Sequence, residues 1–393
     1  MAKRKFELPG IQSLNKSQED ARALPKDGQH LIIGGPGTGK SVLSLLRARR
    51  HHQDKEDYVF LVYNHLLNQA SGQLFGANLQ SYQWQSWFEK TFWELTNNRV
   101  PKLPEKQGTS WRPFDWEKVL SVIAALPVSE VPQKFPYLII DEGQDMPPEF
   151  YWALVNLGFV NFFVAADQNQ QIVSGENSTR EEISNALGVE PYEVVELRLN
   201  YRNTYPIAKL ARAFYTGDPA SPPPELPAPV QTARKPQLIA YQDGQFKSLI
   251  ANILKISDNN TRQLIGVICP DNDVRRRYFR SLVDCDVVLD NGTADVRTYS
   301  YGDNPSTLRF NEGGVMVINA QSCKGLEFDM VILADIDKHK YWPEIADQKK
   351  RLFYVMVARA IVNIIMFKRC DGENKYCPVD PILPQDTDVL ERR

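Results

Sequence analysis

Short apolar runs alternate with segments of helical spacing along most of the chain. In the first half, HLIIGG, YVFLVY, YLIID and FFVAAD have the length and composition of buried strands, and SVLSLLRARRHH has the spacing of a helix. The alternation resumes in the second half with PQLIAY, LIGVICP, GVMVINA and DMVILAD. Strands that alternate with helices are typical of a parallel sheet covered by helices on both faces. We therefore predict an α/β fold with two such units.

Two stretches interrupt this alternation and indicate how the units are divided. Residues from about 72 to 136 are rich in tryptophan, tyrosine and phenylalanine, and we predict that they form an insertion in the first unit. Residues 217–236 contain seven prolines, which disfavour regular structure, so this segment is predicted to be a linker or a stiff loop. We predict a first domain over residues 1–195 and a second over residues 196–393.

The composition is that of an ordinary globular protein and argues against several classes. The net charge is −2, so no overall positive charge indicates a nucleic-acid partner. Five cysteines without a CxxC pair argue against a disulfide framework or a zinc site. No apolar run reaches the roughly 18 residues of a membrane-spanning helix, and the basic start MAKRKFELPG lacks the hydrophobic region of a secretory signal. We expect a cytoplasmic enzyme or regulator without a membrane partner.

The run LIIGGPGTGKS fits the phosphate-loop pattern GxxxxGK[ST], in the required context between a predicted strand and a predicted helix. Glycines let backbone N–H groups surround phosphate oxygens, and the start of the helix adds a favourable dipole. Lys40 is expected to reach the β- and γ-phosphates, and Ser41 is expected to hold Mg²⁺. The predicted nucleotide-binding residues are Gly34, Gly35, Pro36, Gly37, Thr38, Gly39, Lys40 and Ser41.

The run YLIIDEGQD brings two adjacent acids to the end of a predicted strand, where open α/β sheets bind their ligands. Asp141 suits a water-mediated contact to Mg²⁺. Glu142 suits the base that orients or deprotonates an attacking water. Two adjacent acids at this strand end favour hydrolysis of a nucleoside triphosphate over kinase chemistry.

Eight motifs, in their order along the chain, resemble those of the UvrD/Rep-type superfamily 1 helicases. The likeness runs from about residue 11 to about residue 368 and includes GGPGTGKS and DEGQD. The resemblance implies two RecA-like P-loop NTPase domains with ATP in the cleft between them and Mg²⁺ as the cofactor. It also implies single-stranded or tailed DNA as a partner.

Three further motifs of the first domain add candidate residues by this resemblance. LNKSQ is similar to the adenine-reading motif, with Gln18 as the amide that pairs with the base. FLVYNHLLNQ has Asn64 and His65 where the family contacts single-stranded DNA. AADQNQQI resembles the pattern GDxxQxI, with Asp167 and Gln170 in register, and we expect Gln170 to contact the γ-phosphate.

Three motifs after the first domain add the remaining nucleotide contacts. LRLNYRNT is similar to the NYR motif and implies that Arg202 contacts the γ-phosphate. NAQSCKGLEF resembles the SKGLEF motif, with Glu327 at the ribose-contacting position. RLFYVMVARA resembles the last motif, with Arg359 as a second arginine for the γ-phosphate. Arginines at these positions would neutralise charge that builds up on the transferred phosphoryl group.

The chain departs from the family in the parts that contact DNA. Gly175 stands where the family often has a base-stacking tryptophan, Gln321 replaces the histidine before SKGLEF, and Ala358 replaces a threonine before the last arginine. The stretch between the NYR and SKGLEF motifs is short, so we infer that most of the second-lobe accessory domain is missing and that the proline-rich loop takes its place. Gln321 remains a candidate DNA contact.

The loop KHKYWPEI is a further candidate for a DNA-facing surface, because it joins basic residues to Tyr341 and Trp342. The alternative is that these two aromatic side chains only pack the loop against the protein. The aromatic residues of the predicted insertion could likewise replace the missing base-stacking residue, or they could form core.

Two functions remain open on these observations. The first is an ATP-dependent translocase on single-stranded DNA, or a 3′–5′ DNA helicase, with the polarity implied by the resemblance alone. The second is a nucleotide-gated regulatory ATPase subunit that controls a partner effector, such as a nuclease in anti-phage defence. Compact members of the family that lie beside nucleases in defence systems favour the second function.

Overall fold

The chain forms two lobes, each built on one parallel sheet. The computed structural model describes residues 14–62, 79–105, 112–127, 135–167, 177–217, 222–292, 294–299, 308–370 and 377–393. The first sheet has the strand order β3-β2-β4-β5-β1-β6, and the second has the order β13-β7-β12-β11-β8-β10-β9. Every pairing between the described strands is parallel, so the predicted α/β class with two parallel-sheet units is confirmed.

The strands and helices follow one another in the predicted alternation. The strands are β1 Gln29–Gly34, β2 Tyr58–Val62, β3 Ser81–Gln83, β4 Tyr137–Ile140, β5 Phe162–Ala166, β6 Val195–Leu197, β7 Gln237–Tyr241, β8 Leu264–Cys269, β9 Val296–Thr298, β10 Gly314–Asn319, β11 Phe328–Leu333, β12 Ala360–Arg369 and β13 Glu391–Arg392. The helices are α1 Lys16–Ala23, α2 Lys40–Gln53, α3 Trp84–Thr96, α4 Trp116–Ala124, α5 Pro148–Asn156, α6 Arg180–Leu187, α7 Tyr205–Ala213, α8 Phe246–Asn259, α9 Asn272–Val283 and α10 Ala346–Val357.

Both sheets are buried on their two faces, which explains why their strands are apolar runs without a polar alternation. Successive side chains of a strand point to opposite faces, so in β1 Leu31 and Ile33 enter one core cluster and Ile32 enters another. In the second lobe, Leu264 and Ile265 of β8 are divided in the same way between two clusters. Helices on both faces cover these side chains, as expected for parallel sheets.

The described part of the aromatic stretch contributes a strand and a helix to the sheet and core of the first lobe. Strand β3 extends the first sheet by pairing with β2. Helix α3 then buries Trp84, Phe88 and Phe92 in the same cluster as Leu31. Aromatic residues at helical spacing form one apolar face, and burial of that face against the sheet draws this stretch into the lobe. Trp84, Phe88 and Phe92 are therefore core residues, in agreement with the second alternative for the aromatic stretch.

The chain passes from the first lobe to the second between β6 and α7. β6 pairs with β1 at the edge of the first sheet, whereas Ile207 and Leu210 of α7 lie in the core of the second lobe. We call residues 198–204, which connect them, the crossover. The described residues 222–236 contain no helix or strand beyond an isolated bridge between Leu199 and Glu225. No helix within the described residues is long and apolar enough to cross a membrane.

The aromatic core of the first lobe can be tested at Phe88. This side chain is fully buried and packs against Phe92, Phe114 and Phe150. Phe88→Ala should lower the free energy of unfolding by about 3–5 kcal/mol, because it removes buried apolar surface and leaves a cavity. Trp93 lies on the same helix with 49% of its surface exposed, so Trp93→Ala is the control and should cost well under half as much. Urea unfolding followed by circular dichroism measures both; equal losses would contradict this packing.

Candidate functional site

The phosphate loop lies between the end of β1 and the start of α2, as its pattern predicts. Gly37 and Gly39 have φ angles of 77° and 94°, a left-handed conformation that glycine adopts without strain. The Nζ atom of Lys40 donates hydrogen bonds to the carbonyl oxygens of Gly34, at 2.7 Å, and Gly35, at 3.0 Å. The loop is therefore wound around a buried ammonium group, the shape required of a phosphate cradle.

The predicted adenine-reading residue contacts this loop directly. Gln18 lies in α1, whose first turn is capped by Asn15. The side-chain amide of Gln18 donates to the carbonyl oxygen of Thr38 at 2.8 Å. The side-chain amide of Asn15 in turn donates to the hydroxyl of Tyr201. Helix α1 thus joins the phosphate loop to the crossover at the position expected for a base.

The acidic motif ends β4 in the interior of the first sheet, where β2 and β5 flank it. Glu142 has a φ of 55°, which is uncommon for a residue with a side chain and stores strain at this turn. Gln144 holds the turn: its amide nitrogen donates to Oε2 of Glu142 at 2.7 Å, and its amide oxygen accepts from the backbone N–H of Asp167 at 2.8 Å. We did not single out Gln144 from the sequence, although it is the glutamine of DEGQD.

The electrostatic surroundings give the two adjacent acids different protonation behaviour. Burial favours the neutral form of Glu142, but Lys324, Lys40 and Arg359 together outweigh it and hold the pKa of Glu142 below its usual value. Burial and the neighbouring Glu142 carboxylate raise the pKa of Asp141 to about 7, against the opposing effects of Ser41 and Lys40. Glu142 therefore stays ionised at neutral pH and is able to accept a proton.

Asp141 and Ser41 fit a divalent cation. The Ser41 hydroxyl is hydrogen-bonded to the Asp141 carboxyl, while the buried Oδ1 atom of Asp141 has no hydrogen-bond partner in the part of the chain that the structure describes. A cation would satisfy that oxygen and offset the cost of burying the carboxylate. No group of three or more His, Cys, Asp or Glu side chains among the described residues could hold a metal. Mg²⁺ commonly takes only one or two protein carboxylates and completes its shell with phosphate oxygens and water, which agrees with a site of one serine and one aspartate.

Two arginines face these residues from the opposite side of the cleft. Arg359 lies between α10 and β12 and is almost fully buried, and Arg202 lies on the crossover. Burial, and then the proximity of Arg202, lower the pKa of Arg359. Two guanidinium groups in a site with little solvent gain stability from an anionic ligand. Arg202 also forms an ion pair with Glu327, the predicted ribose-contacting residue.

Eight of the predicted nucleotide and catalytic residues, drawn from both lobes, line one small cavity of about 10 Å³, whereas Gln18, Asp141 and Glu327 do not line it. This volume holds about one water molecule, so a nucleoside triphosphate enters only if the lobes separate. The residues that line the cavity are Pro36, Gly37, Gly39, Lys40, Ser41, Glu142, Arg202, Gly325 and Arg359.

A buried ion pair, which the sequence did not indicate, joins the two lobes beside this cavity. The Nζ atom of Lys324, from the SKGLEF-like motif, lies 2.5 Å from Oδ1 of Asp145, the last residue of DEGQD. Each side chain is 5% exposed, and burial raises the pKa of Asp145 while Lys324 opposes the rise. Lys324 also acts electrostatically on Glu142. One lysine of the second lobe therefore balances charge on two acids of the first.

The crossover is joined to the last motif by Asn203, which the sequence also did not single out. Its amide nitrogen donates to the carbonyl oxygens of Ala358, at 3.2 Å, and Ala360. Its amide oxygen accepts from Asn200, whose own amide oxygen accepts from the backbone N–H of Arg202 at 3.1 Å. These bonds fix the positions of both arginines relative to each other.

The structure describes only some of the predicted DNA contacts. Gln321 is exposed after β10, and Trp342 is 48% exposed after β11, so both are accessible on the second lobe. Tyr341 is half-buried and packs against the second-lobe core, in agreement with the packing alternative. Asn64 and His65 lie outside the described residues, as do Gln170 and Gly175.

Residues 314–361 match the family model of the UvrD-like helicase C-terminal domain. The matched segment contains both NAQSCKGLEF and RLFYVMVARA, so the family model agrees with the resemblance to the UvrD/Rep-type helicases over these residues. The match does not extend to the first lobe.

Two solved structures are similar to the chain at low identity. The C-terminal domain of a possible DNA helicase from Lactobacillus plantarum WCFS1 is 15% identical over 49% of this chain and 98% of its own, with a TM-score of 0.35. The Arterivirus nonstructural protein 10 helicase is 12% identical over 94% of this chain and 64% of its own, with a TM-score of 0.36. Both TM-scores are low, so neither likeness carries an argument. No curated protein matches the chain.

The ion pair between the lobes can be tested by removing its cation. Lys324→Met should lower the free energy of unfolding by about 3–5 kcal/mol, because it leaves Asp145 buried without a counter-charge. Lys324→Met with Asp145→Asn should lose less than Lys324→Met alone, since neither charge remains. Lys90, whose side chain is 74% exposed beside Glu94, provides the control: Lys90→Met should cost less than about 0.5 kcal/mol. Urea unfolding measures all three, and equal losses for the two lysine variants would contradict a buried pair.

Proposed function

We propose that the protein hydrolyses ATP in the cleft between its lobes and couples the hydrolysis to movement along single-stranded DNA. The observation that carries the proposal is the convergence of Lys40 and Glu142 from the first lobe with Arg202 and Arg359 on one cavity. A site assembled from both lobes changes when its ligand is cleaved, and such a change can drive relative motion of the lobes. The polarity, 3′ to 5′, rests on family resemblance alone.

The proposed chemistry assigns each charged residue a role toward ATP as substrate. Glu142, which is ionised, orients a water molecule and accepts its proton as the oxygen attacks the γ-phosphorus atom and the bond to the β-phosphate oxygen breaks. The products are ADP and inorganic phosphate. Lys40, Arg202 and Arg359 neutralise the negative charge on the phosphate oxygens during the transfer. Gln144 restricts Glu142 to one orientation, which lowers the cost of positioning the water.

Magnesium would be held by Ser41 and Asp141, and when bound it would neutralise charge on the β- and γ-phosphate oxygens. The Lys40 ammonium group would turn from the carbonyl oxygens of Gly34 and Gly35 toward the phosphates. Gln18 would exchange its bond to Thr38 for an adenine contact. In these exchanges the donor groups of Lys40 and Gln18 gain acceptor atoms of the substrate in place of carbonyl oxygens of the loop.

Coupling to DNA would pass through contacts that join the lobes. The pair of Lys324 with Asp145 joins the acidic motif of the first lobe to the second lobe. Lys324 follows closely after Gln321, the exposed candidate for a DNA contact. A shift of this loop on DNA would therefore move the lysine that sets the charge balance at Glu142. Trp342, on a neighbouring loop, offers an aromatic face on which a base could stack.

The alternative is a nucleotide-gated subunit that controls a partner such as a nuclease. It is favoured by the connection from α7 to β7, which passes through the proline-rich segment without an accessory domain in its described residues. Under this alternative the same cleft binds and hydrolyses ATP, but the change in shape acts on a protein. Co-purification with a protein from a neighbouring gene would support it. Efficient strand displacement by the isolated chain on a tailed duplex would count against it.

The DNA-dependent function is tested by the rate of ATP hydrolysis with and without single-stranded oligonucleotides. We expect stimulation of about tenfold or more, because DNA would align the exposed loop that carries Lys324 with the catalytic acids. The affinity for DNA should fall steeply between low and moderate salt, since phosphate contacts release counterions. Hydrolysis that no oligonucleotide stimulates would exclude the translocase and leave the gated subunit.

The assignment of the base is tested with Glu142→Gln, which keeps the shape of the side chain and its contact with Gln144. This variant should bind ATP normally in equilibrium titrations but hydrolyse it at least about a hundredfold more slowly, the usual range for a lost general base. Lys40→Ala is the comparison, because it removes a phosphate contact and should weaken ATP binding itself. Normal turnover by Glu142→Gln would remove Glu142 from this role.

A further inference from the structure

The first observation concerns Pro224, which lies outside all the helicase-like motifs and yet contacts the phosphate loop. Its ring packs on Gly35 so closely that a Cβ atom added to that glycine would lie 2.5 Å from the ring Cδ atom. The hydroxyl of Tyr354, from α10 of the second lobe, would lie 3.3 Å from the same position. The first peptide of the phosphate loop is thus enclosed by one residue of the proline-rich segment and one residue of the second lobe.

The backbone next to Pro224 is attached to the crossover. The N–H of Glu225 donates to the carbonyl oxygen of Arg198 at 2.7 Å, and the carbonyl oxygen of Glu225 accepts from the N–H of Asn200 at 3.3 Å. Glu225 and Leu199 therefore form a short parallel bridge at the point where the chain passes between the lobes. Proline has a restricted backbone, so a segment of three consecutive prolines before Glu225 holds this geometry with little loss of entropy.

Pro224 and the preceding Pro223 lie between the lobes. Pro223 and Pro224 line a cavity of about 10 Å³ together with Pro36 of the phosphate loop, Ala208 of α7 and Tyr354 of α10. Pro224 therefore packs on Gly35 while it shares a cavity with Ala208 and Tyr354, so separation of the lobes would change its surroundings on at least one side. The candidate nucleotide cavity is also only about 10 Å³, so under the proposed function the same separation would admit a nucleotide.

The Tyr354 hydroxyl opposes the closed arrangement. It is buried and has no hydrogen-bond partner among the residues that the structure describes. An unpaired buried hydroxyl costs free energy that contact with water would recover once the lobes part. The packing of Pro224 favours the closed arrangement of the lobes, and the unpaired hydroxyl favours the open one. The two groups therefore shift the equilibrium between these arrangements in opposite directions.

We propose that Pro224 is a positioning residue of the nucleotide site: it holds the phosphate loop at Gly35 against the crossover and the second lobe, and its contact must open before a nucleotide enters. The part of this inference that concerns nucleotide entry rests on the proposed function. The part that concerns the contact between the lobes does not. The rate at which a ligand enters a closed site scales with the fraction of molecules that are open, so the strength of this contact would set the rate of nucleotide association.

The test compares three variants by amide hydrogen exchange in peptides that cover residues 34–41. Pro224→Ala should raise the exchange rate of the phosphate loop roughly fourfold to fifteenfold, as expected when one or two buried methylene groups lose their contacts. Tyr354→Phe should lower the exchange rate, because it removes the unpaired hydroxyl. Pro229→Ala is the control, since Pro229 is an exposed proline of the same segment, and it should leave the rate unchanged.

Stopped-flow association of a fluorescent ATP analogue provides the second readout on the same proteins. Pro224→Ala should raise the association rate by a similar factor, and Tyr354→Phe should lower it. A purely structural role for Pro224 would lower the melting temperature without changing the association rate. If the parent chain binds no ATP analogue, the proposed function fails, and the exchange measurement alone decides the present proposal.

The proposal is overturned if Pro224→Ala exchanges no faster than Pro229→Ala in the phosphate loop, or if Tyr354→Phe exchanges faster than the parent. Circular dichroism melting shows whether each variant is folded. Should Pro224→Ala unfold, the opposite shift predicted for Tyr354→Phe still decides the outcome, because that substitution removes only one oxygen atom.

Discussion

Buried acids of the first lobe and buried bases of the second neutralise each other in the cleft, and this charge balance holds the two lobes in register. Four buried carboxyl groups, those of Asp141, Glu142, Asp145 and Asp167, lie at or just after strand ends of the first lobe, where Lys40 of the same lobe pairs with Asp167 and acts electrostatically on Asp141. Burying like charges together is costly unless opposite charges accompany them. The second lobe supplies Lys324 and Arg359, so the electrostatics of the first lobe are completed only by contact with the second.

This shared balance explains how a nucleotide could control the arrangement of the lobes. A triphosphate brings negative charge to a site with buried arginines, and a divalent cation brings positive charge to Asp141, whose Oδ1 atom otherwise has no partner in the described structure. Cleavage of the triphosphate would change both of these charge contributions at once. Since Lys324 follows shortly after the exposed Gln321, a ligand that moved this loop would act on the same balance. The proline-rich segment adds a mechanical contact, at Gly35, to this electrostatic one.

Much of the fold and of the nucleotide site follows from local patterns in the sequence. Apolar runs with intervening helical segments predicted two parallel-sheet units, because both faces of such strands are buried. Lys40, Ser41, Glu142, Arg202 and Arg359 were predicted by motifs, and they line one cavity. The remaining contacts depend on distance in space: Lys324 and Asp145 are 179 positions apart, and no local pattern relates them. For the same reason the pairing of β3 with β2, which joins part of the aromatic stretch to the first sheet, could not be predicted from the sequence.

A crystal structure with a slowly hydrolysed ATP analogue and Mg²⁺ would show whether both lobes hold one ATP molecule jointly. We expect the phosphates to contact Lys40 and Ser41 on one side and Arg202 and Arg359 on the other, with Mg²⁺ near Asp141. We also expect that Lys40 no longer donates to the carbonyl oxygens of Gly34 and Gly35. An analogue that contacts the first lobe alone, with both arginines still directed away from its phosphates, would show that the lobes do not share the nucleotide.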